Sequence, residues 1–208
     1  MTLNIFFIGD IVGTPGLDLA ATLIPNYVKK YGVDLLIVNG ENTTEGKGIA
    51  EEHAKRLFEL GAHVITTGNH VWDRWDSRKV LGSDRRILRP LNYPRENGGN
   101  GYYVADIPGK GKAGILNLQG RVFMQPIDDP FRTADWAVAK IHEETPVVFV
   151  DQGLSPDCAL IGLTCVETHR HFPPCHANTS VKRSMPPTSC PSALILDWAR
   201  PVTTAVSP

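Results

Sequence analysis

Short apolar runs ending in polar residues recur along the first 150 positions. Asn4-Ile-Phe-Phe-Ile8 closes on Gly9-Asp10, and Leu35-Leu-Ile-Val38 runs into Asn39-Gly40-Glu41-Asn42. His63-Val-Ile-Thr66 leads to Thr67-Gly68-Asn69-His70, Ile115-Leu-Asn-Leu118 to Gln119-Gly120-Arg121, and Val147-Val-Phe-Val150 to Asp151. Runs of this length, rich in β-branched and aromatic residues, predict strands buried on both faces. Between them lie segments with helical spacing. Leu17 to Lys30 carries apolar residues at 17, 20, 21, 24 and 28, with Pro25 expected to kink it. Ala50 to Leu60 is a second, and Phe131 to Glu144, apolar at 131, 134, 138 and 141, is a third.

Strands that alternate with helices in this way imply an α/β fold, with a mainly parallel sheet core and flanking helices. The stretch from Leu88 to Gly120 differs. It is glycine-rich, and the turn Pro108-Gly109-Lys110-Gly111 separates strand candidates Gly101–Val104 and Ala113–Leu118, which predicts a hairpin. In open sheets of the alternating kind, ligands gather beyond the carboxyl ends of the strands, so the polar residues closing each run are expected to converge.

Composition narrows the class. The 208 residues are 42% hydrophobic and 21% charged, with a net charge of -1, so a folded core is expected and a bulk electrostatic case for nucleic acid or an anionic membrane is absent. No apolar run is long enough for a membrane span, and the chain reads as cytoplasmic. All four cysteines (Cys158, Cys165, Cys175 and Cys190) fall after position 150, without CxxC spacing, and are read as scattered thiols. Half of the 16 prolines share that tail, whereas its only glycines are Gly153 and Gly162, so a boundary is expected at Asp151. The aromatic residues Trp72, Trp75, Phe123 and Trp136 are read as core.

Gly9, Gly13 and Gly16 are spaced GxxxGxxG, and no glycine-lysine pair precedes Ser or Thr, so the dinucleotide and P-loop fingerprints are absent. These glycines are read as serving a tight strand-to-helix turn. The missing fingerprint also argues against a dinucleotide-dependent oxidoreductase. What remains is a set of oxygen and imidazole donors, Asp10, Glu41, Asn42, Asn69 and His70, at three strand ends. Singly, each has a plain structural alternative, because Asp and Asn cap helices and Asn holds turns. Jointly they suit hard or borderline divalent metals such as Mn, Fe(II), Mg or Zn. Two such ions about 3.5–4 Å apart would activate a bridging water for phosphoester hydrolysis, with His70 protonating the leaving oxygen. Arg121 and Lys47 are cations that either attract an anionic substrate or stay solvated.

Phe7-Ile-Gly-Asp-Ile-Val-Gly13, Asn39-Gly-Glu-Asn42, Thr67-Gly-Asn-His-Val-Trp-Asp73, Arg89-Pro90, Asn117-Leu-Gln-Gly-Arg121 and Asp128-Asp-Pro-Phe131 closely resemble the motifs of the YmdB-like family of bacterial metallophosphoesterases. The resemblance covers residues 1 to about 151. It implies a calcineurin-like metallophosphoesterase fold, two divalent or mixed-valence metal ions (iron or manganese), and hydrolysis of phosphodiesters, with 2′,3′-cyclic nucleotides as the substrate class, by a metal-bound hydroxide. Carried over, Asp10 and Asn42 bind one metal, Glu41 bridges both, Asn69 holds the second and His70 donates the proton.

After Val150-Asp151 the family continues Phe-His-Ala-Glu with a ligand histidine, whereas this chain reads Gln152-Gly153-Leu154. His169 and His171, in Glu167-Thr-His-Arg-His171, are the nearest counterparts of the family's later ligand histidines. Residues 1–151 are therefore read as the metallophosphoesterase domain and 152–208 as a divergent or frameshifted tail, making that part of the fold incomplete or aberrant. The partner implied is a small phosphodiester or cyclic nucleotide, with no membrane, and self-association stays open. The competing class is a catalytically impaired nucleotide-binding or regulatory module that keeps the cleft but lacks the complete metal shell.

Overall fold

Every predicted strand forms, but the strands divide between two sheets. In the computed structural model, which describes residues 2–153, 165–167 and 202–205, β1 (Thr2–Ile8), β2 (Leu35–Asn39), β3 (Val64–Thr66) and β4 (Ile87–Leu88) lie side by side and parallel. A last strand, β9 (Val202–Ala205), joins antiparallel to β1, giving the order β4-β3-β2-β1-β9. The second sheet holds β5 (Tyr102–Ile107), β6 (Gly111–Gln119), β7 (Val148–Gly153) and β8 (Cys165–Glu167) in that order. The predicted hairpin is β5-β6, antiparallel with Ile107 opposite Gly111, while β6 and β7 run parallel.

Burial explains the arrangement. Leu3, Ile5, Leu35, Ile37, Val64 and Leu88 of the first sheet share one core with Ala113, Ile115, Val147 and Phe149 of the second. The first sheet's other face packs on helices α1 (Gly13–Tyr31), α2 (Glu51–Glu59) and α3 (Trp75–Ser83) through Leu17, Ile24, Leu36, Val38, Leu57 and Leu81. The second sheet's outer face packs on α4 (Pro130–Ile141) through Leu116, Leu118, Ala137 and Ile141. Each strand is thus apolar on both sides because one side meets the other sheet and one meets helices. The helix α1 continues past Pro25 to Tyr31. Helix α3, the two-residue β4 and the short strands β8 and β9 had no counterpart in the sequence reading; α3 carries Arg, Lys, Asp and Gly among few apolar positions and has little periodicity to read.

Two expectations about aromatic residues are corrected. Phe131, placed by spacing on the buried stripe of α4, is 72% exposed, because Pro130 and Ala137 take the inward positions instead. Trp75, Phe123 and Trp136 are also exposed rather than core; Trp136 packs edge-on against Tyr102 with the Arg95 guanidinium near its ring, and only Trp72 is half-buried, against Tyr93.

The sheets are joined by more than apolar contact. Asn117, fully buried on β6, donates from Nδ2 to the carbonyls of Thr67 (2.7 Å) and Leu88 (3.0 Å) at the carboxyl ends of β3 and β4. A leucine at this position has the right size but no donor, which strips the buried Thr67 carbonyl of its side-chain partner and leaves Leu88 O with the Thr67 hydroxyl alone. Asn117→Leu is expected to destabilise the fold by about 2–4 kcal/mol, read as a lower urea midpoint at unchanged slope.

Candidate metal and phosphodiester site

The carboxyl ends of β1, β2 and β3 sit next to one another, so the loops that follow them meet. The first is bent sharply: Asp10 has φ 42 and Gly13 φ 58, both left-handed. Gly13 needs its lack of a side chain there, and its amide donates to Asn42 O (2.9 Å), while Ile11 donates to Asn39 O (3.4 Å). Gly40 in turn donates to Thr66 O (2.9 Å). These backbone bonds stitch the three loops together before any side chain is considered. The left-handed Asp10 is a non-glycine residue held in a sparsely populated conformation, a kind of strain that gathers at functional sites.

Within this frame Asn42 Nδ2 donates to Asp10 Oδ1 at 2.6 Å. Glu41 turns inward over Gly68, where a Cβ would overlap its carboxylate; the glycine in Thr67-Gly68-Asn69 exists for that close approach. Burial raises the Glu41 pKa from 4.5 to about 7; His70 opposes the rise through its imidazole and backbone amide, and the nearby Asp10 and Asp151 carboxylates add to it. Asp151, buried within β7, is likewise raised by burial, against the pull of Thr66 and of the Asn39 amide that donates to its Oδ2 (3.4 Å). The two sheets therefore bring Asp10 and Asp151 within electrostatic reach of Glu41, an arrangement that disfavours the charged form of the Glu41 carboxyl without a cation.

Asn69 and His70 open a one-turn 3₁₀ segment, Asn69–Trp72, directly after Gly68, and both are half-buried. His70 Nδ1 donates to Asp73 Oδ2 at 2.8 Å. That bond fixes the ring and leaves Nε2 as its proton-exchanging nitrogen. Asp73 was not singled out from the sequence as a site residue; its spacing of three from His70 becomes a contact only because the segment is a tight 3₁₀ turn. Asp151 was read only as the end of a strand, and nothing in the linear pattern places it beside Glu41.

The donor set fits a divalent cation. Glu41 Oε2 and Asn42 Oδ1 are buried oxygens without a hydrogen-bond partner, and hard cations take carboxylate and amide oxygens. The fit is incomplete among the described residues, where no group of three or more His, Cys, Asp and Glu side chains is placed to hold a metal. His169 and His171 lie outside the described residues. Gly153, which stands where the resemblance calls for a histidine, ends β7 opposite Gln119, its carbonyl accepting from the Gly120 amide, and it offers no side chain to the site. No helix among the described residues is long and apolar enough to cross a membrane.

A two-sheet sandwich clad in helices, with these donors on the loops at one end, is the calcineurin-like metallophosphoesterase fold. Residues 6–153 match the YmdB-like protein family, and the chain belongs to that family. It is 40% identical over 149 residues to a 2′,3′-cyclic-nucleotide 2′-phosphodiesterase of Bacillus subtilis, an alignment covering 72% of this chain and 56% of that one. It is 33% identical to a putative phosphatase/phosphodiesterase of Mycoplasma pneumoniae, covering 69% and 56%. Among solved structures, a novel phosphatase from Mycoplasma pneumoniae superposes with a TM-score of 0.68 at 30% identity, covering 76% of this chain and 58% of that one. A hypothetical protein from Thermus thermophilus gives 0.65 at 35%, covering 72% and 57%. The chain spans a little over half the length of the relatives it matches.

Proposed function

We propose that this chain is a metal-dependent phosphodiesterase acting on small phosphodiesters, 2′,3′-cyclic nucleotides among them. The observation that carries the reading is the meeting of Asp10, Glu41, Asn42, Asn69 and His70 on three stitched loops, with two buried oxygens, Glu41 Oε2 and Asn42 Oδ1, left unpartnered. The 2′,3′-cyclic-nucleotide phosphodiesterase of Bacillus subtilis supports the substrate class. In this reading residues 1–151 are the metallophosphoesterase domain and 152–208 a divergent segment.

Asp10, Glu41, Asn42 and Asn69 would hold the cations, two ions of iron or manganese, with His169 and His171 as further ligands. Bound there, such cations polarise the phosphoryl oxygens and offset the charge that builds on them. The remaining work falls to the chain's own groups. His70, oriented by Asp73, holds a proton at Nε2 and passes it to the oxygen that leaves phosphorus. The Asn42–Asp10 bond fixes one donor pair, and the bare Gly68 leaves room for the Glu41 carboxylate to turn inward.

The test is hydrolysis of 2′,3′-cyclic AMP and of bis(p-nitrophenyl) phosphate with added manganese. Turnover is expected to fall to background on chelation and to return with manganese; turnover indifferent to chelator would overturn the metal assignment. A second reading, an impaired nucleotide-binding or regulatory module, is favoured by Gly153 standing at the rim without a side chain to offer. It predicts nucleotide binding with no metal-stimulated turnover.

A further inference from the structure

The connection from β6 to α4, residues 120–129, leaves the sandwich at the end that carries the carboxylates. Asn117, shortly before it, reaches the Thr67 carbonyl, and the Gly120 amide donates to Gly153 O (2.5 Å), close beyond Asp151 on the neighbouring strand. The far end of the connection is anchored as well. Arg121 pairs with Asp129 (2.5 Å), so this cation closes the loop rather than facing an anionic substrate. Asn92 Nδ2 donates to Asp128 O (3.1 Å), the Asp128 amide donates to Asn92 O (3.2 Å), and Asp129 caps α4 through the amides of Phe131 and Arg132. A loop tied at both ends presents its tip in a set place.

That tip is Val122-Phe123-Met124. Phe123 is 92% exposed and has φ 58, and among the described residues no ring or cation stacks on it. A bulky residue in the left-handed region and a bare phenyl in water are each unfavourable, and here both fall on one side chain. Local strain of this kind, on a loop whose ends are fixed, points to a function that the chain's own packing does not supply.

We propose that Phe123 is a substrate-positioning residue that stacks on the nucleobase of a nucleoside 2′,3′-cyclic phosphate. The inference rests on the phosphodiesterase reading and deepens it. A nucleotide's base stands one ribose away from its phosphate, so the element that takes the base must lie at the rim of the donor cluster, where this loop begins. An aromatic face stacks on any base, because every base has a π-face, and it discriminates little among them. The chain should therefore favour nucleoside substrates over base-free phosphodiesters while remaining tolerant of the base.

The test uses the 208-residue chain with manganese and two slowly hydrolysed ligands: the phosphorothioate analogue of 2′,3′-cyclic AMP, and the corresponding ribose cyclic phosphorothioate without a base. Calorimetric affinities are compared for the wild type, Phe123→Ala and Phe123→Trp, with circular dichroism as the check on folding. Phe123→Ala is expected to bind the nucleotide analogue about tenfold more weakly and the base-free analogue unchanged, and Phe123→Trp to restore nucleotide affinity. Equal losses on both ligands, or no loss on either, overturn the proposal while leaving the phosphodiesterase reading intact. Failure of the wild type to bind either ligand sinks the phosphodiesterase reading and this inference with it. A change in sedimentation on Phe123→Ala with nucleotide affinity unchanged assigns the ring to self-association and overturns base stacking.

Discussion

His70→Ala is expected to lower hydrolysis of 2′,3′-cyclic AMP by roughly 10²- to 10⁴-fold, the usual range for removing a positioned proton donor, while leaving the urea midpoint almost unchanged. The reasoning is local. The imidazole is half-buried, it is held at Nδ1 by Asp73, and its only described hydrogen bond is that one, so truncation removes chemistry and little packing. The size of the loss should depend on the leaving group. A ribose alkoxide needs a proton as it departs, whereas p-nitrophenolate is a weak base that leaves unaided. The same variant should therefore lose much less on bis(p-nitrophenyl) phosphate. Equal losses on the two substrates would show that His70 holds the site together rather than donating a proton. Asp73→Asn, which keeps a polar partner at Nδ1 but lets the ring tautomer change, should fall between wild type and His70→Ala.

Replacing Glu41 by glutamine should have opposite effects on activity and stability. Activity should disappear, because an amide is a poor ligand where a carboxylate is needed. Stability of the chelated protein should rise. The folded pKa of Glu41 is about 7 against 4.5 for an ordinary glutamate, so between these values the folded state binds more protons than the unfolded one. Unfolding free energy then falls as pH rises: the contribution of Glu41 is fully present below about 4.5 and is lost as pH passes through about 7. At about pH 8 the chelated wild type carries a penalty on the order of 3 kcal/mol, taking about 1.4 kcal/mol per pKa unit. Glu41→Gln lacks that penalty. Thermal midpoints measured in chelator from about pH 5 to about pH 8 should fall more steeply for the wild type than for the variant. Asp151 is raised by burial too and contributes in the same direction, but it is present in both proteins, so the difference reports Glu41. Parallel pH profiles would mean that Glu41 is not held ionised against its environment, and the metal argument would lose its electrostatic basis.

What could be read from the chain alone depended on regular local patterns. Strands β1, β2, β3 and β7, helices α1, α2 and α4, and the β5-β6 hairpin all follow from apolar spacing and turn residues, because each pattern reports the environment of its own segment. Helix α3 and β4 have too few apolar positions to carry such a signal. The approach of Asp10, Glu41, Asn42, Asn69 and His70 could be anticipated, since adjacent parallel strands must deliver their carboxyl ends to one side. Other features were settled by long-range packing. The two sheets are joined by Asn117 and a shared apolar core, and an apolar run does not reveal which neighbour will cover it. The meeting of Asp151 with Glu41 brings together residues more than a hundred positions apart, through β2 and β7 of different sheets. The exposure of Phe123 came from a loop pinned at both ends, which forces an apolar side chain outward against its own preference. Periodicity records what each segment needs to bury; only the assembled chain decides which groups are left facing one another, and which face water.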